Sequence, residues 1–245
     1  MRENKYDSEK FFDAYSRFPR SVDGLSAAGE WHELKKLLPD FKDKRVLDIG
    51  CGFGWHCIYA AENGAARVLG TDISEKMLSV AREKTQFPNV EYSRVAMEDL
   101  SFSPNAFDIV ISSLAFHYTP DFACVCKLVG EFLAPGGDFV FSVEHPVFTA
   151  YGSQDWHYGV GDSREHWPVD NYFSEGKRDA VFLGEHVIKY HHTLTTYLST
   201  LLQTGFTITG ITEPQPAKEL LDTVPGMRDE LRRPMMLLVS AKKNS

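Results

Sequence analysis

The amino-acid sequence predicts an α/β fold built on a doubly wound, mostly parallel sheet of seven strands. Apolar runs of strand length alternate with helical runs between residues 45 and 143, which is the order that parallel strands with crossover helices require. The first of these runs ends in a loop with three glycines, and such a loop is typical of nucleotide-binding α/β folds. Two further apolar runs, residues 206–211 and 235–240, would complete the sheet as an antiparallel edge.

Each element of the alternation follows from a local pattern. Helices are predicted over residues 55–63, 75–85 and 121–133. Strands are predicted over residues 45–49, 67–71, 90–95, 107–112, 138–143, 206–211 and 235–240. Residues 107–112 are almost continuously apolar, which indicates a central strand buried on both faces. Ser74 can cap the second helix by accepting a hydrogen bond from a free amide, and Pro135-Gly136-Gly137 ends the third.

We predict a single domain over residues 1–245 with two additions to the alternating core. Residues 1–43 carry aromatic and leucine side chains at mixed helical spacings, and we expect them to form an N-terminal helical cover over the open edge of the site. Residues 146–192, after strand five, are dense in aromatic residues, histidine and glycine. A long aromatic insertion beside a binding face indicates a lid. The alternative is a surface elaboration with a small core of its own.

The composition excludes several classes of protein. A net charge of −8 argues against a nucleic-acid partner, because binding a phosphate backbone requires clustered cations. No apolar run approaches the roughly 20 residues of a membrane span, so no membrane partner is expected. The charged first seven residues lack the apolar core of a signal peptide, and we expect a cytoplasmic protein. The four cysteines lack the paired spacing of a zinc site, and no metal site is predicted.

The loop after the first strand is the most informative part of the sequence. Gly50 and Gly52 fit the G-x-G-x-x-G template of dinucleotide-binding loops, but the third glycine, Gly54, comes one place early. Asp48 is expected to project from the strand toward the same pocket. A carboxylate there would repel a pyrophosphate, whereas it would suit the ammonium group of an amino acid. This chemistry indicates S-adenosylmethionine as the ligand.

The sequence Val46-Leu47-Asp48-Ile49-Gly50-Cys51-Gly52-Phe53-Gly54 resembles the first motif of the class I S-adenosylmethionine-dependent methyltransferases. From about residue 44 to residue 145 the chain is similar to their small-molecule, UbiE-like (type 11) branch. The resemblance implies a Rossmann-like methyltransferase fold, S-adenosyl-L-methionine as cofactor, and a small-molecule methyl acceptor. It also implies that the first motif binds the cofactor through Asp48, Gly50, Cys51, Gly52 and Gly54.

Further cofactor-binding residues are implied by position after the second strand. Asp72 stands at the end of that strand, where the family has the acid that accepts hydrogen bonds from the ribose hydroxyls. Ile73 would lie against the adenine face. Met77, one turn into the next helix, is either a second wall of the adenine site or a core residue.

The loops after the third and fourth strands complete the implied cofactor site. Met97 would supply a backbone N–H to the adenine, and either Glu98 or Asp99 would hold its amino group. In the resembled family, the loop that contains Ser113 and Leu114 borders the sulfonium and the acceptor. This loop lacks the N/D-P-P-[YF] sequence of amide and adenine N-methyltransferases, which argues against glutamine or DNA-base methylation.

Three residues are candidates for catalysis on the acceptor side. His117 is either a cofactor or acceptor contact, including a general base, or a polar residue that bonds loop backbone. Glu144 and His145 end strand five, and such a pair could orient an acceptor and remove its proton. Because side chains alternate along a strand, only one of the two faces the cleft directly.

The mechanism implied is in-line displacement at the sulfonium methyl, with transfer to an oxygen or nitrogen atom of the acceptor. Because the leaving thioether is already activated, the protein need only align the acceptor and exclude water. One alternative is a non-catalytic protein that binds S-adenosylmethionine or S-adenosylhomocysteine. The other is an NAD(P)-dependent reductase, against which Asp48 argues. The acceptor and the oligomeric state are left open.

Overall fold

The computed structural model describes residues 4–245. Its helices are α1 (Glu9–Ser16), α2 (Pro19–Asp23), α3 (Trp31–Leu37), α4 (Trp55–Glu62), α5 (Glu75–Lys84), α6 (Phe122–Phe132), α7 (Pro146–Thr149), α8 (Leu194–Gln203) and α9 (Lys218–Thr223). Its strands are β1 (Arg45–Ile49), β2 (Arg67–Asp72), β3 (Val90–Arg94), β4 (Phe107–Ser113), β5 (Leu133–Glu144), β6 (His157–Tyr158), β7 (Arg164–His166), β8 (Gly176–Phe182), β9 (Glu185–His191), β10 (Phe206–Thr212) and β11 (Met236–Lys243).

Seven strands form one sheet in the order β10-β11-β5-β4-β1-β2-β3. Strands β1 to β5 run parallel to one another, while β11 runs antiparallel between β5 and β10. The predicted mostly parallel, seven-stranded α/β fold is therefore confirmed. The strand order reverses between β1 and β4, and open α/β sheets bind ligands outside the carboxyl ends of their strands at such a switch point.

The sheet is covered by helices on both faces, as a parallel sheet requires. On one face, Phe122 of α6 and Tyr197 of α8 belong to a large buried cluster with the central strands. On the other face, Cys57 of α4 and Leu78 of α5 pack against β1, β2 and β4. Burying each large apolar side chain contributes roughly 1.5–3 kcal/mol, so the two layers hold the strand ends in fixed positions.

Strand β5 begins earlier than the sequence predicts. Leu133 already pairs with Phe107 of β4, although Pro135-Gly136-Gly137 lies between it and the predicted start of the strand. The register shifts at this point, and Gly136 has a φ of 71°, which favours glycine. The Pro-Gly-Gly sequence thus forms an irregular entry to the strand, while α6 ends at Phe132.

Helix α3 packs on the sheet through Leu34, which lies in a cluster with Val140 of β5 and Leu238 of β11, whereas the segment ahead of α1 reaches the carboxyl edge of the sheet. The segment before α1 is anchored there by Asp7, whose carboxylate accepts a hydrogen bond from Ser74 Oγ at 2.6 Å and one from the Lys76 amide at 3.2 Å. The Tyr6 hydroxyl lies 3.1 Å from that of Tyr118, in the loop after β4. The N-terminal helices are thereby tied to the loops that follow β2 and β4.

The region between β5 and α8 contains two antiparallel hairpins, β6–β7 and β8–β9, neither of which was predicted from the sequence. Phe182, at the turn of the second hairpin, packs against Phe11 and Phe18 of the N-terminal region. A further segment, residues 213–235, contains α9 and joins β10 to β11. Within the described residues, no helix has both the length and the apolar character needed to cross a membrane.

Candidate active site

A cavity of about 980 Å³ opens at the switch point between β1 and β4. Its floor consists of the loops that follow β1, β2, β3 and β4. Its walls come from the N-terminal helices, from hairpin β8–β9 and from residues 214–236. The volume lies at the upper end of the range for small-molecule sites, about 300–1,000 Å³, which leaves room for two molecules side by side.

The glycine loop is fixed by hydrogen bonds to β2 and by close contact with the loop after β4. The Gly50 and Cys51 amides both donate to the Thr71 carbonyl, at 2.8 and 2.9 Å. Gly50 has a φ of 72°, and a Cβ there would lie 2.5 Å from the Cβ of Ala115. Glycine is therefore required for both the backbone conformation and the approach of the two loops. Gly50, Cys51 and Gly52 line the cavity.

Asp72 joins the glycine loop to the start of α5 and lines the cavity. One carboxylate oxygen accepts a hydrogen bond from the Gly52 amide at 2.9 Å, and the other accepts one from the Ser74 amide at 2.9 Å. Burial raises the pKa of this carboxyl, while the two amides oppose that shift. A carboxylate can accept about four hydrogen bonds, so each oxygen retains the capacity to accept one from a ligand hydroxyl.

Asp48 does not project into the cavity, contrary to our expectation. The side chain is 1% exposed and points toward α4, where Cys57 Sγ lies 3.3 Å from Oδ2. Burial raises the pKa of Asp48 to about 7, although the contact with Cys57 opposes this. Gly54 also lies outside the lining, and a Cβ there would come within 2.2 Å of the Tyr92 hydroxyl. Packing beneath the loop therefore explains this third glycine.

The predicted adenine side of the site is brought together in the cavity wall. Ile73, Met77, Met97 and Glu98 all line it, whereas Asp99 is exposed and does not. The short 3-10 turn Met97–Asp99 directs neighbouring side chains to different sides. The sequence left open whether Glu98 or Asp99 would hold the adenine amino group, and of the two it is Glu98 that faces the cavity.

Ser113 and Leu114 line the cavity at the end of β4, as the resemblance implied for this loop. The Ser113 hydroxyl lies 3.1 Å from that of Ser142 on β5, and the Leu114 amide donates to the Ser142 carbonyl at 2.9 Å. Leu114 has a φ of 53°, which is uncommon for a residue other than glycine. Such strained positions occur at ligand sites, where the surrounding contacts hold them in place.

An ion pair between Arg20 and Glu30 lies beside Ser113 at the end of β4, and no sequence pattern had predicted it. Arg20 Nη2 lies 2.8 Å from Glu30 Oε1 and donates a hydrogen bond to Ser113 Oγ at 2.8 Å. Both residues line the cavity. No local sequence pattern could have found them, because they lie far from the glycine loop in the chain and are brought to it only by packing.

The buried polar atoms with no hydrogen-bond partner within residues 4–245 include Oε2 of Glu30, a member of this ion pair, and Nε2 of His56. Glu30 is 1% exposed, and burial lowers the pKa of His56 to about 3. Leaving a buried polar group unsatisfied costs about 1–3 kcal/mol, and more for a charged one. Since both residues line the cavity, a polar ligand bound there could satisfy them.

On the acceptor side, the structure places His117 in the cavity wall. The residue is buried, and its Nδ1 accepts a hydrogen bond from the Glu144 amide at 3.4 Å. Burial lowers the pKa of His117 to about 4, so the ring is neutral at pH 7. In a neutral ring whose Nδ1 accepts, Nε2 carries the proton. His117 is thus arranged to donate a hydrogen bond from Nε2 rather than to remove a proton.

Glu144 also lines the cavity, where its carboxylate is held by two partners from the insertion. Lys189 Nζ on β9 contacts one oxygen, and Gln154 Nε2 donates to the other at 2.7 Å. Burial alone would raise the pKa of Glu144, but the Lys189 ammonium holds that pKa below its ordinary value. The carboxylate is therefore ionised at neutral pH and can accept hydrogen bonds from a ligand.

His145 does not line the cavity, so the structure corrects its assignment as a candidate base. Its Nδ1 accepts a hydrogen bond from the Val147 amide at 3.0 Å and so caps α7. Its Nε2 lies 2.8 Å from Glu213 Oε1, at the end of β10. Glu144, the last residue of β5, lines the cavity, whereas His145 follows the strand as the N-cap of α7 and does not.

Within the described part of the chain, no group of three or more histidine, cysteine, aspartate and glutamate side chains could hold a metal ion.

Comparison with known proteins identifies the family. A family model described as a methyltransferase domain matches residues 46–137. A protein from Listeria monocytogenes, provisionally described as an S-adenosylmethionine dependent methyltransferase, has a solved structure that covers 91% of this chain and 100% of its own at 58% identity, with a TM-score of 0.86. The chain belongs to the S-adenosylmethionine-dependent methyltransferases.

Two further relatives are described as methyltransferases, and an uncharacterised one covers nearly the whole chain. The solved structure of an S-adenosylmethionine dependent methyltransferase from Mesorhizobium loti covers 90% of this methyltransferase and 100% of its own chain at 41% identity, with a TM-score of 0.83. An uncharacterised protein of Haemophilus influenzae is 31% identical over 97% of this chain and 96% of its own. A ubiquinone biosynthesis O-methyltransferase of Neisseria meningitidis is 31% identical over 58% of this chain and 65% of its own length.

The methyltransferase is thus a class I enzyme, and S-adenosyl-L-methionine is its cofactor. The alternatives of a reductase and of a non-catalytic binding protein are set aside. The buried polar atoms of Glu30 and His56, and the cavity between Asp72 and Glu98, fit a ligand with a charged amino-acid end, a ribose and an adenine.

Proposed function

We propose that the methyltransferase transfers the methyl group of S-adenosylmethionine to an oxygen or nitrogen atom of a small molecule. The observation that carries this proposal is one continuous cavity, which extends from the predicted cofactor residues to an apolar region beneath hairpin β8–β9. The ubiquinone biosynthesis O-methyltransferase relative supports a small-molecule acceptor, although this chain matches only about two thirds of that protein's length.

For the cofactor, the proposal assigns the charged end to residues that the sequence did not reveal. Arg20 would bind the carboxylate, and Glu30 Oε2 would accept a hydrogen bond from the ammonium group in place of Asp48. Asp72 would accept hydrogen bonds from the ribose hydroxyls, and Glu98 would accept one from the adenine amino group. All four side chains line the cavity.

In this mechanism, the cofactor supplies a methyl group that is already activated by the positive charge on sulfur. The residues of the chain orient the acceptor and exclude water, and both effects favour in-line displacement. The Glu144 carboxylate would accept a hydrogen bond from the attacking group. The Nε2–H of His117 would donate one to the acceptor, and His145 has no direct part.

Calorimetric titration with S-adenosylhomocysteine tests the cofactor site, with NADPH as the control ligand. We expect micromolar binding of S-adenosylhomocysteine and none of NADPH. Asp72→Ala should weaken binding at least tenfold while the protein stays folded, and Glu91→Ala, an exposed acid on neighbouring β3, should not. Unchanged affinity in Asp72→Ala would refute the ribose assignment.

The acceptor class is tested with S-adenosylmethionine that carries a radioactive methyl group. The enzyme is incubated with a cell extract separated by filtration into molecules below and above about 1 kDa. We expect label to be transferred in the small-molecule fraction. Transfer only in the macromolecular fraction would show that the acceptor is not a small molecule.

A further inference from the structure

The acceptor end of the cavity has mainly apolar walls. Hairpin β8–β9 and the segment before β11 contribute Phe182, Val187, Pro214, Leu220, Val224, Met227 and Met235. Against this apolar surface, the ion pair between Glu144 and Lys189 is a polar feature in the cavity wall. An acceptor that fits this region therefore has an apolar body and meets both charges of the pair.

The Lys189 side chain is buried and is held by contacts with three other residues. Its side chain is 3% exposed, its ammonium contacts Glu144 and donates to Gln154 Oε1 at 3.0 Å, and it lies 5.2 Å above the ring of Phe182. A buried ion pair contributes little to stability, because desolvating two charges offsets their attraction. Stability alone therefore gives no physical reason for an ammonium group at this point of the cavity.

We propose that Lys189 and Glu144 together bind and activate a hydroxyl group on a largely apolar acceptor, an inference that rests on the proposed function. A neutral hydroxyl can donate to the Glu144 carboxylate while it accepts a hydrogen bond from the Lys189 ammonium. A carboxylate acceptor would be repelled by Glu144, and a protonated amine would be repelled by Lys189. The pair thus selects a group that is both donor and acceptor and carries no charge.

The transfer step balances with these two residues and the cofactor. The acceptor oxygen forms a bond to the methyl carbon as the carbon–sulfur bond breaks, and the electron pair of that bond stays on sulfur as a neutral thioether. The hydroxyl proton passes to the Glu144 carboxylate, which releases it to solvent after the product leaves. The Lys189 ammonium stabilises the negative charge that develops on the oxygen before the new bond is complete.

Three probes built on the same naphthalene ring test the selectivity: 2-naphthol, which is neutral at pH 7, 2-naphthylmethylamine, which is protonated, and 2-naphthoate, which is ionised. Each is titrated by calorimetry into the enzyme saturated with S-adenosylhomocysteine. We expect 2-naphthol to bind at least tenfold more tightly than the other two, and Lys189→Met to remove most of that preference. No binding of 2-naphthol, or tighter binding of the amine or the carboxylate, would overturn the proposal.

Turnover of 2-naphthol then tests activation. Lys189→Met should lower kcat at least tenfold near pH 7, and the rate should recover as the pH approaches the pKa of the naphthol, because solvent base then supplies the phenolate. A merely structural lysine would give no such recovery. Formation of no methyl ether by the wild-type enzyme, or an unchanged pH profile in Lys189→Met, would refute the activation step.

Two controls separate this proposal from the proposed function and from misfolding. Lys177→Met makes the same change at an exposed position of the same hairpin and should have no effect. Glu144→Gln combined with Lys189→Met removes both charges at once, so no buried charge is left unpaired. All variants should bind S-adenosylhomocysteine as the wild type does. A wild-type protein that does not bind it would refute the proposed function itself.

Discussion

At the scale of single residues, burial determines how the charged groups of this site behave. Asp48 was expected to meet the cofactor, yet it lies beneath the glycine loop, with Oδ1 unpaired within the described chain. Arg20 is also largely buried, but it faces the cavity together with Glu30. One carboxylate therefore affects stability, whereas the ion pair is placed to recognise a ligand.

Asp48 should make the stability of the protein depend on pH. An aspartate in the unfolded chain has a pKa of about 3.9, whereas burial raises the folded pKa to about 7. Between these values the unfolded state loses a proton that the folded state keeps. The free energy of unfolding should therefore fall as the pH rises from about 4 to about 7, by an amount on the order of 4 kcal/mol.

Asp48→Asn removes this titration, and urea unfolding at pH 5 and pH 8 measures the effect. From pH 5 to pH 8 the wild type should lose this contribution and the variant should not, so the variant's free energy of unfolding should rise relative to that of the wild type. Comparing the two proteins at each pH isolates Asp48 from the other titrating groups. An equal difference at both pH values would contradict the raised pKa.

Arg20→Met should selectively weaken recognition of the cofactor's amino-acid end. We expect the affinity for S-adenosylhomocysteine to fall at least tenfold, because the carboxylate loses its counterion. The affinity for 5′-methylthioadenosine, which lacks the amino-acid carboxylate, should not change. Arg17→Met, at an exposed position three residues earlier, is the matched control. Equal losses for both ligands would show that Arg20 supports the cavity rather than the carboxylate.

At the scale of elements, the N-terminal helices and hairpin β8–β9 meet above the cavity. The rings of Phe11 and Phe182 lie 5.9 Å apart, those of Phe18 and Phe182 lie 6.2 Å apart, and Lys10 forms an ion pair with Glu185. Phe182 also lines the cavity. This contact encloses the site. Weakening it should therefore make both the N-terminal helices and hairpin β8–β9 more accessible to solvent.

Phe182→Ala should speed proteolysis within helices α1 and α2, because the truncation removes aromatic contacts with both Phe11 and Phe18. Trypsin cleavage followed by mass spectrometry measures this, and Arg17 and Arg20 are sites in this region. Val181→Ala, at a neighbouring position that is 53% exposed, should leave the rate unchanged. If both variants are cleaved at the wild-type rate, the hairpin does not hold the N-terminal helices in place.

At the scale of the whole molecule, the cavity is formed by parts of the chain that are distant in sequence. Loops from four parallel strands, the N-terminal helices, one hairpin and the segment before β11 all contribute to it. A ligand that contacts all of these parts binds only the folded state. Cofactor binding and global stability are therefore linked.

S-adenosylhomocysteine at 100 times its dissociation constant should stabilise the folded state by about 2.7 kcal/mol. For a domain of this size, that corresponds to a rise in Tm of roughly 5–10 °C. Thermal unfolding followed by tryptophan fluorescence measures the shift, and NADPH should produce none. A Tm that does not respond to S-adenosylhomocysteine would contradict binding across these elements.

The sequence by itself determined the α/β class, nearly all the strands and helices of the core, and the loops that reach the cavity. These features are encoded locally: apolar periodicity defines the strands and helices, and glycines mark the turn after β1. The resemblance then supplied candidate residues such as Asp72 and Glu98, since each follows directly from the end of a strand.

Only the tertiary structure decided which neighbouring side chains face the cavity and which distant residues join them. Glu98 faces it rather than Asp99, and Glu144 rather than His145. The backbone geometry at each position sets the direction of the side chain, and the residue types alone do not reveal that direction. Lys189 meets Glu144 across 45 residues, and Arg20 meets Ser113 across 93. Such contacts arise from the packing of whole elements, so no local pattern in the sequence specifies them.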